Sequence, residues 1–129
     1  MDFITLADVV DDIVQCTQTD VDEANSFLMG IAKRLRISEE RIVSPAVYTV
    51  KRLGCVYALY IACVRSMGKD NLTSLDTEAL RQDIYAQKRE VFRVELERLE
   101  QAIEADDFTG EYKDGYRNIQ AIRMWYDGH

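Results

Sequence analysis

Three cysteines, one histidine and four adjacent pairs of acids are the residues of this 129-residue chain best suited to catalysis or metal binding. The histidine, His129, is the last residue printed and has no ligand-type neighbour in sequence. Cys55 and Cys63 stand about 12 Å apart along a helix, too far to bridge each other. Cys16 makes the count odd, and Met1-Asp2-Phe3 is acidic where a secretory leader would be basic. The three thiols therefore read as small buried apolar residues of a reducing compartment. The acid pairs Asp11-Asp12, Asp22-Glu23, Glu39-Glu40 and Asp106-Asp107 are sequence neighbours, so a helix points their members in different directions and general acid–base pairing is poor. Cys16 and Cys55 have no base close in sequence. There is no Cys-x-x-Cys, metal-ligand spacing, glycine-rich phosphate loop or Gly-x-Ser-x-Gly. The expectation is no enzyme activity, no cofactor and no metal.

Charge is more informative than chemistry. The formal net charge is −7, and all of it falls in residues 1–32, which hold Asp2, Asp8, Asp11, Asp12, Asp20, Asp22 and Glu23 with no Lys or Arg. Such a region repels phosphates and argues against nucleic-acid recognition there. Lys51, Arg52, Arg81, Lys88, Arg89 and Arg93 could form a basic stripe, but neighbouring acids dilute it. The chain is long enough for one domain with a sizeable core, and its single Pro and six Gly argue against a turn-rich β fold.

The elements that must position these residues read as helices. Thr5 predicts a cap for a short helix from about Leu6 to Cys16, with Leu6, Val9, Val10, Ile13 and Val14 on one side. Asp20 caps a second, about Val21 to Ile37, whose Val21, Ala24, Leu28, Ile31 and Leu35 share a face; Gly30 within it allows a close approach. Ser44-Pro45 predicts the start of a central helix running to about Met67. Its uncharged run from Leu53 to Val64 is too short to span a membrane. Asp76 or Thr77 opens the longest helix, reaching about Ala105. One apolar line on it is Tyr85, Phe92, Leu96, Leu99 and Ile103; a second, offset line is Leu80, Ile84 and Val91. Two lines on one helix imply two contacts, one within the subunit and one outside. Glu111 to His129 then carries half of the chain's Tyr and Trp, with little of its own to bury them against. The fold class is all-α: a small bundle over residues 1–110 with one central apolar helix, one long charged helix and an extended C-terminal tail at 111–129.

Phe3-Ile4-Thr5-Leu6-Ala7-Asp8-Val9, the acidic second helix, Ser44-Pro45-Ala46 before an apolar helix, Tyr85 to Phe92, and Asp107-Phe108-Thr109-Gly110 together resemble the head–tail connector (adaptor) proteins of tailed bacteriophages. The resemblance implies a subunit of a ring, typically of twelve, beneath the portal at the capsid vertex. It extends the DNA channel and docks a downstream neck, stopper or tail protein. DNA would pass only as non-specific cargo, and no membrane is involved. The location implied is the neck of the virion, assembled in the host cytoplasm. The tail would grip the portal through Tyr112, Tyr116, Ile119, Ile122, Trp125 and Tyr126. Some of Asp2, Asp8, Asp11, Asp12, Asp20 and Asp22 would line or rim the channel. The alternative is a monomeric or dimeric helical binding module that regulates a host protein.

Overall fold

The computed structural model of the chain describes residues 2–67 and 75–111. Within them lie four α-helices: α1 (Gln18–Arg34), α2 (Tyr48–Met67), α3 (Leu75–Ala102) and α4 (Ala105–Thr109). No strand occurs among the described residues, as an all-α reading requires.

The first expected helix is not one. Only Leu6–Asp8 forms a 3-10 turn, and the chain then runs irregularly to Thr17. The physical reason is the Asp11 carboxylate, which accepts hydrogen bonds from the Ile13 and Val14 N–H groups at 3.0 and 2.8 Å. It thereby offers the backbone an alternative to helical bonding. Two β-branched neighbours, Val9 and Val10, add to that preference.

Helix α1 starts three residues earlier than its sequence suggests. Thr17 is the N-cap, and Asp20 is the third helical residue of a capping box: its carboxylate accepts from the Thr17 N–H at 2.9 Å. At the other end Lys33 and Arg34 suit the negative pole. Arg36 adopts φ 62°, while the Ile37 N–H reaches the Ala32 carbonyl and the Arg36 N–H that of Lys33. That is a Schellman closure built on a non-glycine residue, and it turns Ile37 into the core.

Ser44-Pro45 precedes α2 without starting it. The bond is cis, and the first helical hydrogen bond runs from the Lys51 N–H to the Val47 carbonyl. From Val50 to Cys63 more than half of the residues of α2 are buried, so this is the central helix. α1 packs on one side of it and α3 on another. Arg65, late in α2, bonds Asp20 at the start of α1, and Arg52, early in α2, bonds Glu95 late in α3. Both neighbours therefore run antiparallel to α2.

The long helix also stops sooner than expected, at Ala102. Asp106 and Asp107 sit in the first turn of α4. There the Asp107 carboxylate accepts from the Glu104 N–H at 2.9 Å, and acids at a helix N-terminus are favoured. Gly110, at φ 70°, closes α4 in the left-handed region that glycine tolerates. The short helix delivers Phe108 into the core, where it meets Phe3 edge-to-face at 5.9 Å between centroids. The Val43 N–H holds the Phe108 carbonyl at 2.9 Å.

The glycine that permits a close helix approach is Gly54 and not Gly30. A Cβ on Gly54 would lie 2.7 Å from Leu28 Cδ1 and 3.2 Å from Ile4 Cγ2, whereas one on Gly30 would meet nothing within 4 Å. Two Gly→Ala changes should therefore have opposite signs. Gly30→Ala is expected to stabilise by about 1 kcal/mol through helix propensity. Gly54→Ala should lose about 1–2 kcal/mol as overpacking outweighs that gain. Urea unfolding of both variants checks this.

Candidate functional site

Segment Phe3–Cys16 covers one side of the helices without regular backbone pairing, so side chains must satisfy it. Asn25 on α1 makes three of these bonds. Its Oδ1 accepts from the Phe3 and Ile4 N–H groups at 2.9 and 3.0 Å, and its Nδ2 donates to the Ile4 carbonyl at 3.1 Å. Asn25 is buried, and its place was readable: Val21, Ala24, Asn25 and Leu28 lie at i, i+3, i+4 and i+7, all on the buried face. Further along, Lys88 of α3 holds Asp11 at 3.1 Å and Asp12 at 3.3 Å. The Cys55 Sγ donates to the Asp8 carbonyl at 3.5 Å.

The six acids expected to act together are thus divided. Asp20 is only 4% exposed and pairs with Arg65 at 2.7 Å. Asp11 is half-buried against Lys88. Both serve the fold. Asp2, Asp8, Asp12 and Asp22 stay exposed. Burial pushes the Asp11 carboxyl up, but bonds from Val14, Ile13 and Lys88 outweigh it and leave the group below its usual 3.8. The Thr5 backbone hydrogen bond lowers Asp8 likewise. Burial raises all three thiols, Cys16 to about 12 and Cys63 to about 11. They are protonated at neutral pH and poor nucleophiles. Among the described residues no group of three His, Cys, Asp or Glu could hold a metal ion.

One concave feature among the described residues is an open cleft of about 450 Å³ lined by Thr19, Asp22, Glu23, Ser26 and Phe27 of α1 and Tyr57 of α2. Phe27 and Tyr57 stack at 4.1 Å, 6° from parallel. Burial, with Glu23 and Glu100 nearby, raises the Tyr57 hydroxyl and keeps it protonated. No protein-family model, curated protein or solved structure matches this chain.

The two apolar lines on α3 separate as expected. Phe92 is buried, and Tyr85, Leu96, Leu99 and Ile103 pack on the core. Ile84 is 40% and Val91 61% exposed, joined by Val94 at 53%. The Leu80 side chain lies outside the described residues, as do Tyr112, Tyr116, Ile119, Ile122, Trp125 and Tyr126. Three of the basic residues read as a stripe are paired with acids: Arg52 with Glu95, Lys88 with Asp11 and Asp12, and Arg93 with Glu90 and Glu97. No helix among the described residues is long and apolar enough to cross a membrane.

Two expectations follow from the pinned segment. Asn25→Ala strands three backbone groups and should cost about 2–4 kcal/mol, read as a lower urea midpoint. Asp8 and Asp11 carry folded pKa values below the unfolded one, so their contribution is complete above pH 4 and is lost as pH falls through the folded values. Melting temperature should drop on acidification below about pH 4, and Asp11→Asn should flatten that limb.

Proposed function

We propose that this chain is a structural neck subunit of a tailed phage. Copies form a ring, of twelve, under the portal, extend the DNA channel and join the capsid to a downstream neck, stopper or tail protein. The observation that carries the reading is the surplus of apolar side chains on the outer side of α3. Ile84, Val91 and Val94 are not used by the subunit's own core, and exposed apolar stripes of this kind mark contacts with other chains. The motif resemblance supplies the identity of the assembly.

Within this reading the tail residues Tyr112, Tyr116, Ile119, Ile122, Trp125 and Tyr126 grip the portal, since Tyr and Trp dominate interface hot spots. Asp2, Asp8, Asp12 and Asp22 remain available to rim the channel, where repulsion of phosphates lets DNA slide without sticking. The virion neck is the location, reached by assembly in the host cytoplasm.

Native mass spectrometry with and without a portal ring tests the reading. A portal-bound ring of many copies is expected. A monomer or dimer that ignores the portal would sink the proposal and favour a helical module that regulates a host protein.

A further inference from the structure

Residues 5–16 form a strap whose two ends are fixed better than its middle. At one end the Asn25 amide clips Phe3 and Ile4, both buried. At the other, Arg65 of α2 donates to the Thr17 hydroxyl at 3.2 Å and to the Asp20 carboxylate at 2.7 Å. Between these anchors the strap makes no backbone–backbone hydrogen bond to a helix among the described residues. Val14 is its buried apolar side chain, whereas Leu6, Val10 and Ile13 all face solvent. Asp8, bonded to Cys55, and Thr17, bonded to Arg65, are fastened to points on α2 about 15 Å apart along its axis. The chain between them can reach about 30 Å, so the strap has slack to lift without either end moving.

We infer that residues 5–16 open as a unit while the helices stay folded, and that Lys88 is the latch. Its ammonium ties α3 to the strap, holding Asp11 at 3.1 Å and Asp12 at 3.3 Å. Beneath the strap lies a second apolar cluster, in which Val14 meets Val56, Leu59, Ala62, Cys63 and Phe92. Val9 and Cys16 pack against the same cluster. Lifting the strap removes Val9, Val14 and Cys16 and uncovers Cys63, which is 0% exposed in the closed form. Segments with few buried apolar contacts and few backbone bonds open locally at low free energy. The helices keep their own hydrogen bonds and the main cluster around Leu28 and Leu53, so they survive the opening. Access to the apolar surface between α2 and α3 is thus set by one ammonium group.

This device does not depend on the neck reading. Labelling of the full chain with N-ethylmaleimide, resolved by peptide mass, reads the opening at Cys63. In wild type Cys63 should react well above the rate that the global unfolding equilibrium, measured in urea, allows. Lys88→Met keeps an unbranched apolar chain beside Phe92 and removes the charge. It should speed Cys63 labelling about tenfold, the scale of one charge-assisted hydrogen bond. Ala32→Gly, at the far end of α1 in the main cluster, lowers global stability through helix propensity and should leave Cys63 labelling unchanged. Backbone hydrogen exchange from Tyr85 to Leu99 should be as slow in Lys88→Met as in wild type. Labelling that follows the urea midpoint in both variants would mean that only global unfolding reaches Cys63, and overturns the strap. Unchanged labelling in Lys88→Met overturns the latch. Faster exchange in α3 would place the opening in that helix, and overturns the inference as well.

Discussion

The N-terminal part of the fold depends on one buried amide. A segment with almost no regular hydrogen bonding lies against α1 and α2, and its backbone groups would lose water without a substitute if Asn25 were absent. Because Asn25 both accepts and donates, it fixes the direction of the strand-like stretch at Phe3 and Ile4. Everything beyond follows that anchoring. Ile4 reaches the space above Gly54, Phe3 meets Phe108, and Asp11 arrives at Lys88. Three helices are thus joined through a segment that is itself irregular.

What sequence periodicity could reveal was the set of long elements. α1 and α2 show themselves through apolar spacing, and α3 through two lines, one packed on the core and the other with Ile84 and Val91 exposed. Places where a polar side chain competes with the backbone were harder to read. Leu6 to Cys16 has a helical apolar pattern, yet Asp11 diverts its N–H groups. The same polar chemistry moves the start of α1 to Thr17 and splits α4 from α3 at Glu104. Local hydrogen bonding by Asp and Thr leaves little mark in hydrophobic periodicity. Similarly, the acids of the first 32 residues are visible as a charge excess, but only folding turns Asp20 and Asp11 inward.

The cleft owes its shape to uneven coverage of α2. One side of that helix is roofed by the N-terminal segment, two are flanked by α1 and α3, and around Tyr57 nothing of the described chain closes over it. Stacking of Phe27 on Tyr57 makes a flat aromatic surface there. Close packing of Leu28 over Gly54 draws α1 toward α2 and brings Phe27 into range. Core geometry and surface geometry are consequently coupled through neighbouring residues of α1.

Cys16, Cys55 and Cys63 are all free, and burial keeps each one in its unreactive form. Oxidants and disulfide exchange act on thiolates, so they find few here. Folding thus holds all three sulfurs in the form least inclined to cross-link.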